Sequence, residues 1–275
     1  MSSSISFKKN FHTLIEILVI TIPFLLITGP LLSDLALSIV ALYFFFKYKK
    51  IYRSNVFLNY FFYFFLFFWT IIIISSFLAV DRYLSLQNTS FYFRFFLFSV
   101  CFFYILKNNE SLIEKLFYIL LFCYLILFID SIYQFYFKKN IIGMVINQEY
   151  LGRRVSSFFG DELILGSYIT RLSPLIFATY FYLSLKKNKI FNENFFIIFL
   201  LLSEIVVFLS GERTAFILYN FFVILVLIFI NNFKYLKLKI ILTLISSLVL
   251  LFSLDIPSKK RLVNETIKNL KPDEY

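Results

Sequence analysis

The sequence predicts an all-α fold, a polytopic transmembrane helix bundle of about nine spans, and three observations predict it. Apolar residues make up 60% of the 275 positions and charged residues only 16%. A soluble domain carries roughly 45–50% and roughly 25%, so too little polar surface remains to coat a water-soluble globule. The mean hydropathy is +0.84, and the apolar residues come in long runs close to the ~20 residues a helix needs to cross a bilayer. These runs lack the polar–apolar alternation of β-barrel strands.

In chain order the runs are Phe11–Gly29, Leu31–Phe46, Val56–Val80, Phe91–Leu106, Leu116–Phe137, Leu163–Leu185, Phe195–Ser210, Thr214–Ile230 and Leu238–Leu254. The first follows Lys8 and Lys9 as a signal peptide would. It is long for an h-region, contains Glu16 and lacks a small-x-small cleavage site, and so reads as a retained helix. Gly29-Pro30 makes the first tight connection, because proline cannot continue a helix. The 41 phenylalanines read as lipid-facing filler.

Loop charges give the orientation. With the N-terminus in the cytoplasm, inner segments hold Lys8, Lys9, Lys47, Lys49, Lys50, Arg53, Lys107, Lys115, Lys186, Lys187, Lys189, Lys234, Lys237 and Lys239. Outer loops then hold only Arg82, Lys138, Lys139, Arg153, Arg154 and Arg213. That bias follows the positive-inside rule and puts the C-terminus outside. It also accounts for the net charge of +11 without nucleic acid, for which no basic domain or RNA-binding motif exists. Cys101 and Cys123 lie inside apolar runs as small buried hydrophobes, and neither a disulfide nor a metal site is indicated.

The chain therefore divides into a transmembrane domain, 1–254, with one polar outer loop, 138–161, and a segment 255–275 that begins a second outer loop. In that last segment Leu262, Val263, Ile267 and Leu270 share one helical face, which predicts a helix along the membrane surface.

Ionisable residues inside spans are costly and face a protein interior or a wet cavity. Here they are Glu16, Asp34, Arg94, Asp130, Arg171 and Glu204. At a rise of about 1.5 Å per residue, Asp34 and Arg94 lie roughly 5 Å inside the outer ends of their helices, Asp130 and Glu204 roughly 10 Å, and Arg171 roughly 14 Å. Only Glu16 belongs to the cytoplasmic half. This one-sided placement predicts a polar pocket opening outward; ion pairs that merely hold helices together are the alternative.

Two outer segments point the same way. Leu151-Gly-Arg-Arg-Val-Ser-Ser-Phe-Phe-Gly-Asp-Glu162 precedes the helix of Arg171, and Ser210-Gly-Glu-Arg-Thr214 joins two helices by a very tight turn. A guanidinium stays charged and grips phosphate oxygens through a planar fork, so the pocket suits a phosphorylated or otherwise anionic substrate. For Arg153, lipid headgroups are an equally good partner.

The run Arg154-x-Ser-Ser-Phe-Phe-Gly-Asp-Glu-x-x-x-Gly-Ser-Tyr, then Arg171, then Ser-Gly-Glu-Arg-Thr at 210–214, resembles the bacterial O-antigen ligase and O-antigen polymerase family. Asp130-x-x-Tyr133-Gln134 and Arg94 resemble that family too, and the resemblance is strongest from Asp130 to Thr214. It implies a metal-independent, inverting glycosyltransferase of the bacterial inner membrane, without cofactor. Such an enzyme passes a glycan from an undecaprenyl-diphosphate carrier to an acceptor sugar hydroxyl at the periplasmic face. The acceptor is a second lipid-linked glycan in the polymerase and the lipid A core in the ligase.

The resemblance implies that Arg154, Arg171 and Arg213 stabilise the departing diphosphate. It makes Arg94, Asp130, Gln134, Asp161, Glu162 and Glu212 candidates for substrate binding, Glu212 alternatively for orienting Arg213, with structural salt bridging the other reading of Asp161, Glu162 and Glu212. It also implies a longer periplasmic loop with an acceptor-activating histidine and further helices beyond Tyr275. His12, at the predicted cytoplasmic end of the first helix, cannot take that part. A transporter or flippase for an anionic lipid or sugar, and an inactive fragment, are the competing expectations. The charges on one side only and the six glycines disfavour the alternating access a transporter needs.

Overall fold

The computed structural model describes residues 2–54, 60–145, 154–186, 193–229, 234–253 and 257–265. Val56, Leu151–Arg153, Lys187, Lys189, Ile230, Leu254, Asp255, Ile267 and Leu270, which entered the expectations above, lie outside the described residues. Among those described the chain is all-helical, about 90% helix with no strands. The long helices are α1 (Ser2–Thr28), α2 (Pro30–Arg53), α3 (Tyr60–Phe77), α4 (Arg82–Asn108), α5 (Ser111–Phe137), α6 (Leu165–Lys186), α7 (Glu193–Ser210), α8 (Arg213–Phe229) and α9 (Lys234–Ser253). A 3-10 segment, Ser157–Glu162, precedes α6, and a short α10 (Pro257–Lys260) runs into a π-helical turn, Arg261–Glu265. Asn10–Thr28 of α1 and the whole of α2, α3, α4 and α5 are long and apolar enough to cross a membrane, as in a multi-pass membrane protein; Asn194–Ser210 and α8 are shorter apolar helices.

Several helices outrun the apolar runs that predicted them. Hydropathy loses α4 before Phe91, yet the helix begins nine residues earlier because Asp81 caps it, its carboxylate accepting the Leu84 N–H at 3.0 Å. Between α1 and α2, Gly29 sits at φ 125°, a conformation closed to most side chains, and Pro30 opens the next helix where its missing N–H costs nothing.

The chain forms two compact units, Met1–Ile119 and Leu120–Tyr275. In the first, α2 packs against α1 and α4, and α4 against α3. Polar connections bind it as well. Arg94 donates to Asp34 Oδ2 at 2.9 Å, with both side chains partly exposed. Glu16 Oε1 accepts from Asn109 Nδ2 at 2.9 Å, while His12 Nδ1 meets the Tyr43 hydroxyl at 2.9 Å. For Asp34 and Arg94 the ion-pair alternative therefore describes what the side chains do.

In the second unit α7 is central, packed against α6, α8 and α9. Its core includes Phe196, Phe199, Val207 and Phe208, all buried. Three long-range bonds close polar groups inside this apolar packing: Tyr124 Oη to the Ile169 carbonyl at 2.7 Å, Tyr219 Oη to the Leu200 carbonyl at 2.8 Å, and Ser247 Oγ to Glu204 Oε2 at 2.6 Å. Glu204 is fully buried and serves this helix contact with α9.

The described part of the segment after α9, residues 257–265, packs against α7 rather than lying free as the expected surface helix. Leu262 is buried in a cluster with Phe208 and Leu251, with Phe216 packed against it. Ser258 Oγ donates to the Leu209 carbonyl at 3.1 Å. The last turn of any helix leaves carbonyls without intrahelical donors, and the end of α7 supplies the acceptor that draws this segment inward.

Candidate functional site

The site grows from the way α7 ends. Gly211, at φ 65°, turns the chain in the left-handed region and its N–H donates to the Phe208 carbonyl at 3.1 Å. The next carbonyl, that of Leu209, accepts from the Val155 N–H at 3.2 Å as well as from Ser258. The last, that of Ser210, accepts from Arg154 Nε at 2.9 Å. One helix end thus gathers the loop before α6, the turn into α8 and the segment after α9.

Around this junction lies a cavity of about 400 Å3, lined by Arg154, Ser167, Arg171, Gly211, Glu212, Arg213, Thr214 and Arg261. Four arginines and one glutamate are among the lining residues. The arginines arrive from four separate stretches: the loop before α6, α6 itself, the first residue of α8 and the π turn after α10. Each pays part of the repulsion that such convergence creates, so an anionic occupant is the partner this lining favours.

The arginines do not stand alike. Arg154 spends two donors on the backbone, Nε on Ser210 and Nη2 on the Leu163 carbonyl at 3.0 Å, and so ties the loop to the start of α6. Arg171 is exposed along the cavity wall, one and a half turns into α6. Arg213 and Arg261 are half-buried.

Glu212 has a defined place. Its Oε1 accepts from the Gly166 N–H at 2.7 Å, and its Oε2 accepts from the Ser167 N–H at 3.1 Å and from Ser167 Oγ at 2.6 Å. These N–H groups belong to the first turn of α6, where orphan donors and the helix dipole favour a carboxylate. Both oxygens are therefore occupied by protein donors. Closeness here depends on Gly166: a Cβ at that position would collide with Ser210 Oγ and lie 3.1 Å from Glu212 Oε1 and 3.2 Å from Ala215 Cβ.

Asp130 and Gln134, one turn apart on α5, are buried and face the loop rather than the cavity lining. Asp130 Oδ2 accepts from Ser157 Oγ at 2.5 Å and Oδ1 from the Ile141 N–H at 2.7 Å. Gln134 Oε1 accepts from the N–H groups of Ser156 and Ser157 at 3.0 and 2.7 Å. Their chemistry here is to hold the backbone that carries Arg154. Asp161 and Glu162 are exposed on the 3-10 segment and outside the described lining. Arg94 belongs to the first unit, where it pairs with Asp34.

Of the residues singled out from sequence, the structure brings Arg154, Arg171, Glu212 and Arg213 together. Sequence reading missed Arg261. Its signal was the basic run Lys259-Lys260-Arg261 followed by the apolar Leu262, which buries and thereby turns its neighbour toward the site. Among the described residues no group of three or more His, Cys, Asp or Glu is arranged to hold a metal ion. No family model, curated protein or solved structure matches the chain.

Proposed function

We propose that this chain binds the donor in a bacterial inner-membrane glycosyltransferase reaction, which moves a glycan from undecaprenyl diphosphate to an acceptor sugar hydroxyl at the periplasmic face. The observation that carries the reading is the convergence of Arg154, Arg171, Arg213 and Arg261 on one cavity. In this reading the chain crosses the membrane about nine times, with its N-terminus in the cytoplasm and the cavity facing the periplasm. The positive-inside bias and the sequence resemblance support that orientation.

The chemistry asks for what the arginines offer. The acceptor oxygen bonds to the anomeric carbon as the bond from that carbon to the diphosphate oxygen breaks, inverting the centre. The bonding electrons leave with the diphosphate, so negative charge grows on it through the transition state. Guanidinium groups gathered around the leaving diphosphate favour that state over the bound substrate. The acceptor proton passes to a general base. Arg171 and Arg213 are the contacts to the diphosphate, and Arg154 combines contact with support.

The test is glycan transfer in a strain lacking its polymerase or its ligase. The gene carrying this chain restores surface polysaccharide in one of the two backgrounds, which identifies the acceptor. Arg171→Ala and Arg213→Ala, each checked for normal membrane abundance, lower transfer by about 10²–10³-fold. Full activity in either variant refutes the arginine chemistry.

A further inference from the structure

Glu212 sits among four arginines yet directs both carboxylate oxygens at the start of a neighbouring helix. We infer that Glu212 is a positioning residue that fixes the spacing of Arg171 and Arg213, and so prepares the cavity for a diphosphate; this rests on the function proposed above.

The geometry joins the two arginines through a short chain of contacts. Glu212 immediately precedes Arg213, and its own carbonyl accepts the Phe216 N–H at 3.0 Å within the first turn of α8. Its side chain reaches across to Gly166 and Ser167 with three hydrogen bonds. Arg171 lies five residues further along the same helix, α6. One turn beyond Gly166, Thr170 Oγ1 donates to the Ala215 carbonyl at 3.1 Å, so α6 and α8 are joined at two levels. Gly166 removes the side chain that would hold them apart. Two helix ends that each carry an arginine are thereby locked in register by one carboxylate. Hydrogen bonds to a charged group are stronger than neutral ones, which suits a contact that must hold like charges near one another.

This assignment and simple electrostatics predict opposite signs. A carboxylate beside four guanidinium groups weakens their attraction for an anion, so its neutralisation alone tightens anion binding. If its main service is positioning, neutralisation loosens the arginine pair and weakens binding, because a misplaced site loses the benefit of preorganisation.

The experiment measures pyrophosphate binding to the purified full chain in detergent by calorimetry, at two salt concentrations. Glu212→Gln keeps the size and one acceptor oxygen but removes the charge; binding falls about tenfold. Ser167→Ala removes one of the three bonds with no change in charge and weakens binding in the same direction, whereas Ser167→Thr keeps the hydroxyl and the affinity. The Ser167 pair keeps the test sharp if Glu212→Gln fails to fold. Tighter or unchanged binding in Glu212→Gln, or equal affinity in Ser167→Ala and Ser167→Thr, overturns the assignment but not the transferase reading. Pyrophosphate binding that obeys these signs, in a chain that restores no glycan transfer, refutes the transferase reading alone. No pyrophosphate binding by the unaltered chain refutes both.

Discussion

Replacing Gly166 by alanine sets two effects of opposite sign against each other. In a helix the exchange is favourable by about 0.5–1 kcal/mol, since glycine loses more backbone freedom on folding. Gly166 lies in the first turn of α6, with its N–H on Glu212. The added methyl meets Ser210 Oγ, which donates to the Val207 carbonyl at 2.7 Å and accepts the Glu212 N–H at 3.3 Å. Rotating that hydroxyl away gives up both bonds, at about 0.5–1.5 kcal/mol each. Moving α6 away strains the three bonds of Glu212 instead, and overpacking of this kind costs about 1–3 kcal/mol. The net result is a destabilisation of about 1–2 kcal/mol, or a Tm lower by about 2–6 °C for a domain of this size. Cys101 and Cys123 are buried free thiols, so a thiol-reactive dye reports unfolding of the detergent-solubilised chain. A Tm that is unchanged or raised refutes the close approach of α6 to the Ser210–Glu212 turn.

Asp130→Ala leaves the Ile141 N–H and Ser157 hydroxyl without their acceptor, and Gln134→Ala does the same to two backbone N–H groups. Each costs about 1–3 kcal/mol locally, and limited proteolysis of the 138–163 segment speeds up while cleavage elsewhere stays at the unaltered rate. Arg261→Gln weakens pyrophosphate binding and reduces its dependence on salt, because one guanidinium leaves the cavity; identical salt dependence in the variant counts against Arg261 as part of the site.

Much of the architecture was legible because lipid imposes a simple code. Long apolar runs located the helices, and Gly29-Pro30 marked a connection that a positive φ requires. Helix ends were less legible, because hydropathy stops at the first polar residue while a cap such as Asp81 carries the helix on. For the site, residue type was enough to single out Arg154, Arg171 and Arg213. Residue type could not say what each contacts. Asp130 and Gln134 are an acid and an amide in a suggestive order, yet their partners are backbone N–H groups and a hydroxyl 11–27 positions further along the chain. Asp34 and Arg94 looked like members of a shared pocket, but 60 residues apart in sequence they find each other. Arg261 was hidden by its setting, since an amphipathic pattern reads the same whether its apolar face meets lipid or another helix.

The carbonyl of Leu209 receives both the loop, through Val155, and the segment after α9, through Ser258. That acceptor is main chain. Every amino acid carries it, so no point substitution at position 209 can delete it, and the two incoming segments keep a common anchor while their own side chains change. A seam built this way lets the arginine-bearing segments of the site be retuned one at a time without losing the place where they meet.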